Sequence, residues 1–486
     1  MMRAPLPLMC CAMALTMLLG ACGTDNESAV RLSIIDGPAD RNVDARRLGP
    51  LAVRLRDATS QGLVRFDAAG NIVPGLAERW IVTDYGRSFI FRLRDAQWDD
   101  GDKVTSQQVA EALRRRIRIE QGQRMSADLD RIRDVRAMTD KVIEIRLLSP
   151  EPDFLQVIAQ PELGIRRSGR GTGPLDEERA KGWTTLTVPV MDGAAPTPRT
   201  IERPLFVRGE DAAHGIARFA SGASDAVLGG RFEHLPYLAS ADVNANTIIF
   251  DGVAGLFGLA VVEDQGFLSQ ASNREAIAMA IDRSALMTGL NLGQWETGTR
   301  YVRAGIDGYD AIAANRWEGR AIADLREIAR GRVSDWQARN GPAAPLRIAL
   351  ADGPGSRVLF ARLKADLASI GLRARLVGVS QNADLRLIDR VAAYDEPIWY
   401  LNQLSCAMQR LCDREGDDLL ARARRAVDPE VRLSRLVEAE TAMTAANYYI
   451  PLGTPVRWSL VRSGLTGIIS NPTAWHPLPD IAIIPR

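Results

Sequence analysis

Residues 62–113 read GLVRFDAAGNIVPGLAERWIVTDYGRSFIFRLRDAQWDDGDKVTSQQVAEAL, a strict order of short elements. Residues 63–66 and 72–73 are expected as strands around the turn Asp67-Ala68-Ala69-Gly70, and Pro74-Gly75 breaks the chain again. Phe89, Phe91 and Leu93 then alternate with Arg92 and Arg94, the two-residue period of a half-buried strand. Asp99-Asp100-Gly101 turns the chain. Thr105, with Gln108 three residues on, predicts a capping box that opens a helix whose apolar stripe is Val109, Leu113 and Ile117.

At 486 residues the chain exceeds what one hydrophobic core serves, so two or more lobes are expected. A net charge of +1 argues against nucleic acid or an anionic membrane surface as partner, since both select a basic excess. The amino terminus sets the compartment. Arg3 precedes an apolar run over residues 6–19, and Leu19-Gly20-Ala21-Cys22 closes it with small residues and a cysteine. That ending resembles a bacterial lipobox. It implies that residues 1–22 are a lipoprotein signal segment, that Cys22 becomes the acylated first residue, and that residues 23–29 are a tether. A plain secretory signal with a chance cysteine is the alternative. No later stretch has the apolar length of a membrane span. Cys10 and Cys11 leave with the signal, so Cys406 and Cys412 are the cysteines of the body. An even pair, close in sequence and in an oxidising compartment, predicts a disulfide; two buried thiols are the other reading.

Residues 30–35 form an opening strand, and 141–147 alternate as another before Pro150 and Pro152. Residues 346–350, 356–370 and 372–379 read as strand, helix and strand, with Gly371 as the helix stop, a unit that implies a parallel sheet. Residues 273–290, NREAIAMAIDRSALMTGL, carry the apolar stripe Ile277, Ala280, Ile281 and Leu286 and are expected as one helix. Asp428 suits an N-cap and Pro429 a first helical position. In this order the segments resemble the solute-binding proteins of peptide-type ABC importers, family 5, where GLV.FD..G.IVPGLAE.W is followed by F.LR….W.DG….T..DV..AL. The resemblance implies an α/β fold, a two-lobed type II periplasmic-binding-protein-like clamshell with an extra small domain inserted in the first lobe. It divides the chain into lobe I at 30–60, 175–260 and 456–486, the inserted domain at 61–174, and lobe II at 261–455.

Motifs that carry chemistry are few. Gly353-Pro354-Gly355-Ser356 lies between a strand and a helix, but it lacks the third glycine of a dinucleotide fingerprint and the Gly-Lys-Ser/Thr of a nucleotide loop. It reads as a connecting turn. His214, His234 and His476 are isolated, without acidic or cysteine neighbours at metal spacing, and no metal or cofactor is expected. No nucleophile-elbow motif is present, and nothing in the sequence points to an enzyme. The run Arg114, Arg115, Arg116 and Arg118 is expected as the solvated face of its helix.

Residues 394–401, YDEPIWYL, form the candidate binding segment. They resemble the dipeptide-binding branch of the family, where D-x-x-DP…FL precedes a cysteine pair. In that branch an aspartate three residues before the Asp-Pro anchors the ligand's ammonium group through a charge-assisted hydrogen bond. Aligning Glu396-Pro397 with the Asp-Pro puts Ala393 at the anchor. Either Asp395 or Glu396 substitutes from a neighbouring position, or the ligand has no free amine. The expected ligand-binding residues are therefore Tyr394, Asp395, Glu396 and Trp399, with Trp399 in the cleft and Tyr400-Leu401 in the core. Loop solvation for the acids and core packing for Trp399 are the alternatives. The function so implied is capture of an oligopeptide or dipeptide by a monomeric, lipid-anchored periplasmic protein, for delivery to an ABC permease with separate ATPase subunits. A non-peptide solute, or a clamshell that no longer transports and acts as a sensor or chaperone-like lipoprotein, is the alternative.

Overall fold

A computed structural model describes residues 29–35, 40–98, 100–123, 125–180, 182–189, 200–293, 295–310, 312–313 and 316–485. The signal segment with Cys22 and the tether through residue 28 lie outside them. Among the described residues no helix is long and apolar enough to cross a membrane.

Val30–Ile35, nearly all buried, is the central strand of a seven-stranded mixed sheet. It pairs in parallel with Leu205–Glu210 on one side and with Ala226–Arg231 on the other. Antiparallel strands extend both edges: Trp183–Thr187 and Asp176–Ala180 beyond the first, Arg457–Val461 and Ile248–Phe250 beyond the second. A second, five-stranded sheet runs Ala374–Gly378, Leu346–Leu350, Leu385–Val391, Gly255–Val261, Tyr449–Gly453. In it Leu346–Leu350 is parallel to both neighbours, and the helix Pro354–Ser369 joins it to Ala374–Gly378, the expected strand-helix-strand unit. The turn Gly353-Pro354-Gly355-Ser356 is packed against another loop. A Cβ on Gly355 would lie 2.1 Å from the Phe232 carbonyl oxygen, which leaves no room there for a phosphate.

Between the first two strands of the first sheet met along the chain, Val30–Ile35 and Asp176–Ala180, a separate body folds. It holds the hairpin Val64–Phe66 with Ile72–Pro74 and a four-stranded antiparallel sheet, Ala77–Thr83, Ser88–Leu93, Val142–Leu147, Ile132–Thr139. The helix Ser106–Glu120 covers that sheet and begins at the capping box. Thr105 Oγ1 accepts the Gln108 N–H (3.4 Å), and Gln108 Oε1 accepts the Thr105 N–H (3.2 Å) and the Trp98 indole N–H (2.9 Å). The core of this body runs on into the buried faces of Pro397–Gln403, Arg414–Arg425 and Pro429–Ala446. It therefore abuts the second lobe as well as the first.

Three sequence expectations need correction. The expected lobe I runs to residue 260 and takes in all but the last residue of Gly255–Val261, but this strand pairs with Leu385–Val391 and Tyr449–Gly453, so the chain crosses between the sheets after Phe250. Every residue of this strand is buried, and an apolar run without alternation does not show which sheet it joins. Residues 273–290 form two helices, Ala271–Ala280 and Arg283–Gly289, where one was expected. Asp282 causes the break: its carboxylate accepts the Ala285 N–H (3.0 Å) and starts a new helix in the middle of the apolar stripe. The arginine run is also divided. Arg115 and Arg118 are exposed, whereas Arg116 is buried, ion-paired with Glu120 and bonded to the Ala45 carbonyl (3.2 Å).

Candidate functional site

Two short segments carry the chain between the sheets. Residues 251–254 lead from Ile248–Phe250 to Gly255–Val261, and residues 454–456 lead from Tyr449–Gly453 back to Arg457–Val461. The strands at each end of these crossings are antiparallel neighbours, so the crossings lie side by side as one interrupted ribbon. Gly255 allows the tight entry into the second sheet. At φ 146° a Cβ there would meet the Arg390 carbonyl oxygen at 2.1 Å. Next to the ribbon an ion triad bridges the sheets: Asp389 of the second receives Arg457 Nη1 (2.8 Å) and Arg231 Nη2 (2.9 Å), both of the first. Burial pushes the Asp389 carboxyl up, and the Arg457 and Arg231 guanidiniums outweigh that and hold it below its ordinary value.

Two chambers open along this junction. The first, about 770 Å³, is lined by both crossings, by residues 291–293, Trp295 and Glu296 of the second lobe, by residues 392–396, and by Phe66, Asp153 and Gln156 of the small domain. The second, about 660 Å³, lies between the loop around Arg46 and Arg47, the small domain, and residues 390–393 with Trp399, Gln403 and Met408. Phe66, Ala392, Ala393 and Thr473 line both, so the chambers meet at these four residues. Their volumes are those of small-molecule sites, on the order of 300–1,000 Å³.

The chambers differ in charge. In the first, burial raises the carboxyls of Asp153 and Glu296, while burial together with neighbouring Asp153 and Asp395 pushes Glu396 up to about 7. In the second, five arginines (Arg46, Arg47, Arg54, Arg116, Arg390) face three carboxylates (Glu120, Asp128, Glu162). The loop bearing Arg46 and Arg47 is bolted down by other arginines. Arg56 Nη1 donates to Val43 O (2.6 Å), Arg116 Nη1 to Ala45 O (3.2 Å), and Arg166 Nε to Asp44 Oδ1 (3.0 Å). Burial and the charges of Arg116 and Arg166 lower Arg56 to about 10.

Tyr394, Asp395 and Glu396 all line the first chamber, in different states. Tyr394 is buried and donates its hydroxyl to Asp128 of the small domain (3.2 Å). Asp395 is held within the second lobe by Arg303 Nε (2.8 Å) and the Tyr400 hydroxyl (2.7 Å), so its carboxylate is already engaged. Glu396, the residue before the helix Pro397–Gln403, makes no capping bond. Trp399 does not reach the first chamber. It is 2% exposed, packs edge-on to Tyr400, and lines the second chamber from within the core. The reason is the helix itself: all seven residues are buried among Ser126–Leu129, Arg414–Arg425 and Pro429–Ala446. Tyr400 and Leu401 are core, and Cys406 and Cys412 are joined in a disulfide. His476 is fully buried, 3.3 Å from Asp251 Oδ2 under the first crossing. Among the described residues no cluster of side chains could hold a metal ion.

Sequence reasoning missed the arginine loop, Trp475 and Arg303. Arg46-Arg47 is a visible basic doublet, but it sits where no periodic pattern gives it a structural context.

Two mixed sheets joined by two adjacent crossings, with a cleft at the crossings, define a fold of the type II periplasmic-binding-protein kind. Residues 71–194 match the family model "Bacterial extracellular solute-binding proteins, family 5 Middle". The "Probable deoxycholate-binding periplasmic protein YgiS" of Escherichia coli (strain K12) is 29% identical over 122 residues, which take in 21% of this chain and 23% of that protein. The alignment thus spans less than a quarter of that curated relative. Over the whole body the likeness is one of fold. AgaA from A.tumefacien R10, solved with agropinic acid, superposes with a TM-score of 0.75 at 18% identity, covering 94% of this chain and 99% of that one. Haemophilus influenzae OppA, solved with the peptide RPPGFSPFR, gives 0.77 at 16% identity, covering 94% and 99%. The family 5 signature read from the sequence thus agrees with the family model over residues 71–194, and over the rest of the body the likeness is one of fold.

Proposed function

We propose that this protein captures a small solute, a peptide or a related compound, between its two lobes and delivers it unaltered to an ABC permease whose ATPase subunits are separate chains. The observation that carries this reading is the pair of chambers at the interlobe crossings, walled by both lobes and the small domain. A solute there touches groups on bodies that separate when the lobes part. Its contacts exist only in the closed form, and binding shifts the open/closed balance. Relatives with named ligands include a probable deoxycholate-binding protein, a peptide complex and an agropinic acid complex, which supports a solute class wider than peptides. In the same reading Cys22 carries lipid and tethers the protein outside the cytoplasm.

Thermal-shift titration of the purified chain with di- to pentapeptides, opines and bile acids tests the proposal, with small-angle scattering on every hit. A ligand raises Tm by mass action and shrinks the radius of gyration. A panel in which nothing does either removes the capture reading and leaves a sensor or structural lipoprotein. For the anchor, Cys22→Ser is expected to release the protein from the membrane fraction.

A further inference from the structure

We propose that the arginine-lined chamber is a subsite for the anionic end of the solute, a carboxylate or equivalent acid, and that this end, not an ammonium group, orients the ligand. The inference deepens the capture reading above and rests on it. Its basis is the state of the charges in the chamber. Arg116 is ion-paired with Glu120, Arg390 donates to Gln403, and Arg54 stacks over Trp475 (4.9 Å). Arg46 and Arg47, at the exposed rim, make no ion pair or hydrogen bond among the described residues. Two consecutive arginines therefore line the chamber without a protein partner among the described residues.

Their backbone is held in place. Arg56 and Arg116 bond the Val43 and Ala45 carbonyls and Arg166 the Asp44 side chain, so the loop needs little ordering when an anion arrives and only the two arginine side chains have to settle. The acids nearby do not cancel them: the lining holds five arginines against the three carboxylates Glu120, Asp128 and Glu162, and Glu120 is taken by Arg116. Planar guanidiniums match a carboxylate through paired hydrogen bonds, which makes arginine selective for that group. Phe66, Trp399, Trp475 and Met408 supply flat rings and a pliable thioether for an apolar body behind the acid. Ala393, at the meeting of the chambers, offers no carboxylate to an amine. The ligand class is thus an organic acid with an apolar body, including peptides blocked at the amino end.

The test uses two probe sets on the purified chain. The first compares the anionic dye 8-anilinonaphthalene-1-sulfonate with its neutral relative N-phenyl-1-naphthylamine. The expected result is saturable dye binding that weakens with salt. Arg46→Ala with Arg47→Ala should cost the anionic dye tenfold or more in affinity, the size of a lost charged hydrogen bond, and leave the neutral one unchanged. Arg46→Lys with Arg47→Lys should recover part of the loss. Equal behaviour of both dyes in wild type and double variant overturns the subsite. The second set is leucyl-phenylalanine with free ends, N-acetylated, and as the C-terminal amide, read by calorimetry. The acetylated form should bind as well as the free dipeptide and the amide at least tenfold more weakly. Loss on acetylation with an indifferent amide overturns the orientation. Anion-selective dye binding, with no compound in either set narrowing the cleft by scattering, keeps the subsite and refutes capture instead.

Discussion

Replacing Asp389 by Asn removes the one negative charge of the triad while keeping its shape. The Asp389 side chain is 6% exposed, and its partners Arg457 and Arg231 are 14% and 42% exposed. Taking one partner from a buried ion pair costs about 3–5 kcal/mol, chiefly because the remaining charge is left without compensation. Arg457 bears that cost. Arg231 is well hydrated and screened, so the lower end, about 3 kcal/mol, is the expected loss. Unfolding entropy of about 2 cal/mol/K per residue makes this a fall in Tm of about 3 °C if the body melts as one unit, and more if one lobe melts alone. Scanning calorimetry across pH supplies the second half of the test. A carboxyl held below its ordinary value of 3.8 contributes stability that is present above that value and is lost as pH falls through the lower folded value. The gap between wild type and variant should stay constant from neutral pH down to about 5 and close only below about 4. Combining Asp389→Asn with Arg457→Gln should cost less than the sum of the two. Equal melting temperatures at neutral pH, or a gap that closes above pH 5, refutes the triad as a strut between the lobes.

Trp399→Ala should destabilise by about 3–5 kcal/mol, the cost of emptying a large aromatic site, so differential scanning fluorimetry should show a clear fall in Tm. An unchanged Tm would return Trp399 to the cleft. Cys406→Ser with Cys412→Ser opens a loop of six-residue separation and should cost about 2 kcal/mol, seen as a lower denaturant midpoint matched in the wild type by adding reductant. Glu396→Gln should raise Tm at pH 8 and leave it unchanged at pH 4. A carboxyl raised to about 7 binds its proton more tightly folded than unfolded, so stability falls as pH climbs from its ordinary 4.5 through 7 and the variant escapes that fall. Parallel melting curves for the two proteins across that range would contradict the assigned cause.

What the sequence made legible was local. The capping box at Thr105 and Gln108 and the cap at Asp428 each depend on residues three or fewer apart, and Asp428 Oδ1 indeed accepts from the N–H groups of Glu430 and Val431. Asp282 shows the limit. Its apolar neighbours continue a helical stripe, and only the accepted Ala285 N–H decides that the helix restarts. Long-range partners were out of reach altogether. Asp395 reads as a free loop acid until Arg303, 92 residues earlier, is seen to hold it. Arg116 reads as solvated although Glu120 is one turn away, because its burial comes from the loop at Ala45. The candidate segment lies along the chambers, but its facing was not legible. Three of its candidates line one chamber and Trp399 another, a division set by the buried helix that starts at Pro397.

The adjacent crossings constrain how the halves of the molecule travel. A single tether would leave them free to swing, twist and slide, so most encounters with a solute would find the lips out of line. Two tethers fixed side by side, like paired pins in a door, suppress twist and leave one swing about the line through them. Any opening about that line would retrace one path and return the walls to the same facing. The register of the two facing walls is built into the covalent chain.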